Sequence, residues 1–494
     1  MTTPSVALKH LLPECALAPS LAEISVTGVT LDSREVNSGY VFLAMQGTRE
    51  HGIRYLDQVL QAGAVAVLVE QADDLPAALP ENAVVIDALS AKASEIAARF
   101  YGLPGQELHT IGVTGTNGKT TCTQLLARLY HALGERAAVM GTMGYGLIGK
   151  PLRDTGMTTP DAVSFQRILR DLRNQHARHL AVEISSHALA QNRVAAVPVQ
   201  TAVFTNLTRD HLDFHQTMEA YGAAKRALFS QLGIKRGIIN IDDTFGREMS
   251  SALPGLTVIT YGLAPDAQVR ASEIRYETRG LQARVDTPWG AGELRSQLVG
   301  EFNLHNLLAV VATACAEGYS LQEVLAAVPT LRPVCGRMEL LGADQSVQVV
   351  VDYAHTPDAL RALLAAARAH CAGKLWCVFG CGGDRDKGKR ADMARIAEAM
   401  ADQCVVTSDN PRTENPELII QDVMAGFNEP DRVIQQVDRK AAIATAVAQA
   451  QAGDWVLVAG KGHEDYQIIG TRKLPFSDQE EARKALALRV GGAA

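Results

Sequence analysis

Hydrophobic and polar positions alternate along the chain in three stretches of strand–loop–helix rhythm. In the first, Gly28-Val29-Thr30-Leu31-Asp32-Ser33-Arg34, Gly39-Tyr40-Val41-Phe42-Leu43-Ala44-Met45 and Gly63-Ala64-Val65-Ala66-Val67-Leu68-Val69 read as strands broken by polar turns. With helical segments between them they predict a small α/β module, ending in a helix near Phe100 and the turn Gly102-Leu103-Pro104-Gly105. In the second stretch a β-branched run (Thr110, Ile111, Val113, Thr114) enters a glycine-rich turn. Leu125, Leu126, Leu129, Tyr130 and Leu133 then share one helix face, with Gly134 as the stop. In the third, β-runs at 347–351, 375–379, 404–407 and 455–459 each deliver a polar or glycine-rich loop, as in a doubly wound sheet whose ligands gather at the carboxyl ends of its strands. The pattern predicts an α/β chain of three domains, at 1–107, 108–333 and 334–494.

The turn at 110–121 reads T-I-G-V-T-G-T-N-G-K-T-T. Its glycines let backbone N–H groups close around phosphate oxygens, and the following helix adds its positive end. Lys119 supplies a point charge, and the Thr120 hydroxyl suits Mg²⁺. The spacing departs from the common G-x-x-x-x-G-K-[ST] form: the first glycine would fall at Val113, whereas the real ones are Gly112 and Gly115. The strand before and the helix after still make this a nucleotide cradle, of a form that points away from motors and GTPases.

Bulk properties narrow the field. The 494 residues suit about three domains, and 47% apolar with 20% charged residues is ordinary for α/β cores. Net charge is 47 − 54 = −7, so no general basic surface exists for nucleic acid or an anionic membrane. The eight cysteines lack a C-x-x-C pair, which favours reduced thiols over a metal site. Apolar stretches are too short to span a bilayer and no secretory pattern opens the chain, so a cytoplasmic protein is expected.

Further candidates follow the β-runs. His179-Leu180-Ala181-Val182-Glu183-Ile184 places one acid in an apolar strand, which is costly unless the acid is paired or meets a metal; Glu183 is therefore read as an Mg²⁺ ligand. Asp210-His211-Leu212-Asp213-Phe214-His215 reads as a capped polar loop or a ligand cluster, with His211 the candidate. Lys225, in Ala223-Ala224-Lys225-Arg226-Ala227, reads locally as a solvated helical lysine. Asn303 and Asn306 precede a helix at 307–316 and read as caps, or as amides for an adenine edge. The loop at Gly380-Cys381-Gly382-Gly383 lacks G-x-G-x-x-G and the acid a ribose needs, which disfavours redox chemistry.

Together, G-T-N-G-K-T-T, the Glu183 strand, D-H-L-D, Lys225, E-F-N-L-H-N, G-R-M-E, D-Y-A-H-T-P, D-N-P-R and G-K-G-H-E resemble the Mur ligases of peptidoglycan synthesis, in order from about Gly28 to Gln467. D-N-P-R followed by G-K-G-H-E resembles the diaminopimelate-adding branch; folylpolyglutamate synthetase shares only the phosphate loop and architecture. The resemblance implies an N-terminal domain for the UDP end, a central ATPase and a Rossmann-like C-terminal domain for the amino acid. It implies that ATP activates the D-glutamate γ-carboxylate of UDP-N-acetylmuramoyl-L-alanyl-D-glutamate as an acyl phosphate, which the amine of meso-2,6-diaminopimelate then attacks.

Residue by residue, the resemblance implies ATP contacts at Gly115, Thr116, Asn117, Gly118, Lys119, Thr120, Thr121, Asn303, Asn306, Arg337 and Asp352. Metal contacts are implied at Thr120, Glu183, His211 and a carbamylated Lys225, with Lys119, Glu183, His211 and Lys225 as the catalytic set. Leu31 and Ser33 match the uridine end; Thr158, Thr159, Ser185, Gln191 and Arg193 match the muramoyl-dipeptide. Arg390, Asp409, Asn410, Pro411, Arg412, Gly460 and Glu464 match the diaminopimelate pocket. Met157 and the segment Thr48-Arg49-Glu50 depart from the family's usual residues. A monomer with small-molecule substrates, no nucleic-acid partner and no membrane insertion is expected.

Three other readings compete. A phosphotransferase or motor on the same loop leaves the C-terminal loops idle, and a non-catalytic nucleotide sensor has no use for Glu183, His211 and Lys225 together. A lysine-adding ligase is the nearest alternative, and Arg412 argues against it: lysine lacks the second carboxylate that a guanidinium grips in two-point fashion.

Overall fold

The computed structural model describes residues 5–491, apart from 48, 49, 74, 77, 343 and 344. Thr48 and Arg49, singled out above, thus lie outside the described residues. The chain divides into two compact units, residues 1–267 with 312–318, and residues 268–311 with 319–494.

The first unit contains two parallel arrays. In one, Gly28–Thr30, Tyr40–Ala44, Ala66–Glu70 and Ala83–Ile86 pair in sequence order. Leu89–Phe100 covers this sheet with Leu89, Ala93, Ile96, Ala97 and Phe100, an i, i+4, i+7, i+8, i+11 stripe. The other array runs Thr257–Gly262, Arg236–Asn240, Thr201–Phe204, His109–Thr114, His179–Glu183, Ala137–Gly141, Gly144–Leu147 across its width, parallel except for the last pair. Beyond their opening histidines, His109–Thr114 and His179–Glu183 are central and buried on both faces, which is why their sequences read as near-continuous apolar runs. The helix after the glycine-rich turn spans Lys119–Ala132, and Gly134 takes φ +92° just beyond it, as the pattern predicts.

The second unit contains an antiparallel set, Val269–Glu277, Gly280–Thr287 and Gly290–Ser296. It also holds a six-stranded sheet in the order Glu339–Leu341, Gln348–Asp352, Trp455–Ala459, Leu375–Phe379, Gln403–Val406, Ile434–Gln435, parallel after its first pair. The helix expected at 307–316 begins six residues earlier and spans Glu301–Ala316. Asn303 and Asn306 are therefore not caps. They lie inside the first two turns, buried, with Asn303 Nδ2 donating to Val299 O at 2.8 Å and Asn306 Nδ2 to Asn303 Oδ1 at 3.2 Å. Local sequence favoured caps because asparagine competes for backbone groups; burial against the core overrides that preference.

Candidate functional site

In the first unit the strand His109–Thr114 ends at Gly115, whose φ of +148° suits glycine, and a Cβ there would meet Thr205 Oγ1 at 1.8 Å. The turn is braced by the neighbouring strand's loop. Thr116 N donates to Asn206 O (2.8 Å), Asn117 N to Asn206 Oδ1 (2.9 Å), and Thr205 Oγ1 to Asn117 O (2.6 Å). Gly118 then takes φ +85° and opens the helix, placing Lys119, Thr120 and Thr121 in its first turn. Lys119 Nζ folds back onto the carbonyls of Gly115 and Thr116, at 2.8 Å each. A helix N-terminus and a lysine thus share one glycine-rich turn, an arrangement suited to an anion.

Glu183 ends its strand 1% exposed. Its carboxylate accepts from Thr120 Oγ1 (3.0 Å), Thr142 N (2.9 Å) and Thr142 Oγ1 (3.1 Å). Thr120 and Glu183 thus meet beside the phosphate turn, and an oxygen-only donor set of hydroxyl and carboxylate fits a hard Mg²⁺ ion. Thr142, absent from the sequence reading, is the third member.

Lys225 corrects the local reading as a solvated lysine. It is 1% exposed, on the inward face of Met218–Arg226, with Nζ 4.1 Å from the centroid of the Tyr221 ring. Burial, reinforced by the charge of Lys119 and opposed by Asp210, pushes its pKa well below the usual 10.5. Tyr221 also reaches Thr116 Oγ1 at 3.2 Å, so one aromatic ring touches both the phosphate turn and Lys225. His211 adopts φ +52° with Nε2 3.5 Å from Asp210 Oδ2, and packs edge-on against His187 at 4.9 Å. Burial and the nearby His211 and His215 lower the His187 pKa to about 4.

The residues matched to the dipeptide form one cluster. Arg193 NH1 donates to Thr159 O (2.8 Å), and its Nε and NH2 to Gln191 Oε1 (2.9 and 2.6 Å). Thr159 Oγ1 bridges Glu183 O and Ser185 N, while Thr158 Oγ1 accepts from Thr142. Met157 is 44% exposed with its sulfur 3.5 Å from Arg193 NH1, so the departure noted above is a sulfur contact within the same cluster. Leu31 and Ser33 line a cavity of about 760 Å³ that also takes in Gln46, Glu50, Tyr55 and Arg167.

In the second unit, four loops at the carboxyl ends of the six-stranded sheet carry the remaining residues. Asp352 accepts from the amides of Met338 and Ala354 at 2.7 Å each; burial raises its pKa against the opposing charge of Arg337. The Arg337 guanidinium lies 4.6 Å over the Tyr353 ring. Asn410 Nδ2 donates to Glu464 Oε2 (2.9 Å), and its Oδ1 accepts from Lys461 Nζ (3.1 Å) and Ile468 N (2.9 Å). Lys461, not selected from the sequence, is fully buried and also donates to Glu464 Oε2 at 3.1 Å, with Asp409 Oδ1 at 3.9 Å. Gly460 packs against Asp409 at the strand's end.

The two arginines of this region differ. Arg390 is 1% exposed, and its guanidinium is bound by Glu414 at 2.9 and 3.1 Å and Asp422 at 2.7 Å. Its charge is thereby already balanced. Arg412 takes φ +51° between Ile468 and Gly470 and places NH1 2.7 Å from Gly383 O; among the described residues it has no ion pair. Gly383 is required at this approach, because a Cβ there would lie 1.9 Å from Pro411 O.

Three family models match successive segments: "Mur ligase family, catalytic domain" at 25–101, "Mur ligase middle domain" at 113–314, and "Mur ligase, glutamate ligase domain" at 336–462. A curated relative from Ectopseudomonas mendocina (strain ymp), named UDP-N-acetylmuramoyl-L-alanyl-D-glutamate--2,6-diaminopimelate ligase, is 48% identical over 97% of this chain and 98% of its own. A solved structure with that same name is 36% identical, covers 98% of this chain and 99% of its own, and superposes with a TM-score of 0.74. A Thermotoga maritima MurF ligase solved with ADP shares the fold at 19% identity, covering 94% of this chain and 98% of its own, with a TM-score of 0.64.

Proposed function

The chain belongs to the Mur ligase family, and from that premise we propose that it joins meso-2,6-diaminopimelate to UDP-N-acetylmuramoyl-L-alanyl-D-glutamate at the expense of ATP. Residues 1–107 take the UDP end, 108–333 supply the ATP machinery and 334–494 the amino-acid pocket. A carboxylate is a poor electrophile, so a γ-carboxylate oxygen first attacks the γ-phosphorus of ATP and ADP leaves. The amine of diaminopimelate then adds to the acyl carbon, loses a proton, and the C–O bond to phosphate breaks. Positioning and charge neutralisation do most of this work.

The phosphate turn at 115–121 holds the nucleotide phosphates, with Lys119 released from its loop carbonyls to meet them. Asn303, Asn306, Arg337 and Asp352 serve the adenosine end. Thr120 and Glu183 would hold Mg²⁺, which supplies neutralisation of phosphate charge when bound. Lys225 suits carbamylation: CO₂ reacts with a neutral amine, and burial keeps this amine neutral to a far greater extent than a solvated lysine. The carbamate oxygens would help hold a second Mg²⁺, with His211 flanking it.

The observation that carries the amino-acid assignment is the contrast of Arg390 and Arg412. With Arg390 committed to Glu414 and Asp422, Arg412 is the guanidinium available for the carboxylate that distinguishes diaminopimelate from lysine. Asp409, Asn410 and Glu464, organised by Lys461, suit the ammonium beside it. Incubation with ATP, Mg²⁺, the UDP-dipeptide and meso-diaminopimelate is expected to yield one product whose mass is the sum of the two substrates less one water. Absence of that mass contradicts the assignment.

A further inference from the structure

At the amino end of the first unit's parallel sheet, away from the phosphate turn at its carboxyl end, two histidines and a carboxylate converge. His109 and His179 are register partners on adjacent parallel strands, with ring centroids 5.2 Å apart. Glu317, just beyond the helix Glu301–Ala316, sends Oε1 to 2.8 Å from His109 Nε2. One ligand atom from each of the three residues lies within 4.8 Å of the others. We propose that His109, His179 and Glu317 form a binding site for a transition-metal dication of the Zn²⁺ class, separate from the nucleotide's Mg²⁺.

The donor set decides the ion. Two imidazoles and one carboxylate match the three-ligand zinc pattern, with a fourth position left for water, whereas Mg²⁺ prefers oxygen alone. Bond lengths of about 2.0–2.2 Å put tetrahedral ligands roughly 3.3 Å apart. Rotation of the imidazoles accommodates that contraction, since the His109 side chain is 31% exposed and therefore not locked by packing. Glu317, by contrast, is 4% exposed and fixed.

The surroundings resemble an outer shell built around such a site. Tyr130 OH donates to Glu317 Oε2 at 2.5 Å, and Thr201 Oγ1 to Oε1 at 2.7 Å. The Tyr130 ring also stacks on His179 at 4.5 Å and 14°, so one tyrosine orients two of the three ligands. Glu135 Oε2 lies 3.7 Å from His179 Nδ1 at the rim, adding negative charge where a dication would enter. None of these residues belongs to the proposed ATP, dipeptide or diaminopimelate sets. A bound ion would fasten two central strands and the end of the helix Lys119–Ala132 to the turn carrying Glu317, and its consequence is stability of the sheet's base.

The test is a Co²⁺ titration of the full-length protein in excess Mg²⁺, read by the visible d–d absorption of tetrahedral cobalt, followed by back-titration with Zn²⁺. The expected result is one equivalent of tetrahedral Co²⁺, displaced by one equivalent of Zn²⁺. His109→Asn combined with His179→Asn is expected to abolish the signal. Thr201→Val, which keeps all three ligands, is expected to weaken binding about tenfold through loss of the oriented carboxylate. A wild-type spectrum that is purely octahedral overturns the proposal, as does a tetrahedral signal that survives the double substitution. Should the double variant not fold by circular dichroism, Thr201→Val decides: unchanged affinity contradicts the site.

Discussion

Lys225 in the first unit and Lys461 in the second are both withdrawn from water, at 1% and 0% exposure, yet their surroundings differ. Lys225 faces the Tyr221 ring and has no carboxylate in ion-pair range among the described residues. Lys461 donates to Asn410 and Glu464, with Asp409 at 3.9 Å. A buried ammonium must either shed its proton or be matched by acids. The first solution leaves an amine whose pKa burial holds well below the usual lysine range. The second leaves a fixed cation that sets the rotamers of the residues assigned to the amino-acid substrate. His370 shows a third solution. It accepts from Gly300 N through Nε2 (2.8 Å) and reaches Glu277 O through Nδ1 (2.6 Å), an arrangement that requires the neutral Nδ1–H tautomer.

Substitution by methionine separates the first two cases. Lys225→Met is expected to lower kcat at least about 10²-fold, since it removes a group placed at the developing phosphate charge, while leaving thermal stability unchanged or raised. The sign follows from linkage. The folded-state pKa of Lys225 lies below its unfolded value, so the folded protein binds fewer protons. Stability therefore rises with pH from that lowered value up to about 10.5, the unfolded value. Lys225→Met loses that slope; a variant that keeps it places the titration elsewhere. Lys461→Met is expected to behave oppositely, losing about 3 kcal/mol in denaturant unfolding because Glu464 and Asp409 are left without their counter-charge. Equal stability changes in the two variants erase the distinction.

Arg412→Ala sharpens the specificity side. KM for diaminopimelate is expected to rise about 10²-fold, the worth of a charged two-point contact, with KM for ATP unchanged. Parallel rises in both show that Arg412 acts through the fold rather than on the amino acid. The smallest effect is expected at His370, whose pKa burial lowers below 6.5. Its stabilising contribution is complete above that unfolded value and declines as pH falls below it. His370→Gln is expected to flatten the stability profile below about pH 6.5, and an unchanged profile shows that the ring does not titrate there.

The sequence made the phosphate turn and the four C-terminal strands legible because each is local: a β-run, a glycine turn, a helix face; the pairing of Thr120 with Glu183, 63 residues apart, followed only from the family resemblance. Glu183 stood out because a lone acid in an apolar strand demands a partner. Lys225 was misread in isolation because neighbouring Ala223, Ala224 and Ala227 carry little pattern; its burial comes from sharing a helix face with Tyr221, four residues earlier, which is also buried. Arg390 sits in a basic run, Lys387, Lys389 and Arg390, that looks solvent-facing, and only the packing of the helix Gly388–Met400 shows that its guanidinium meets Glu414 and Asp422. Lys461 was hidden between two glycines. The His109–His179–Glu317 cluster depends on parallel strand register across 70 and more residues, which no local window contains.

The reading of Arg412 makes this chain an ATP-driven ligase selective for an amino acid with a second carboxylate. Phosphate release tests it most directly, measured with ATP, Mg²⁺ and UDP-N-acetylmuramoyl-L-alanyl-D-glutamate while meso-diaminopimelate or L-lysine is supplied in parallel. Release with diaminopimelate and essentially none with lysine is expected. Release with lysine instead contradicts the reading of Arg412, and release with neither contradicts the ligase assignment itself.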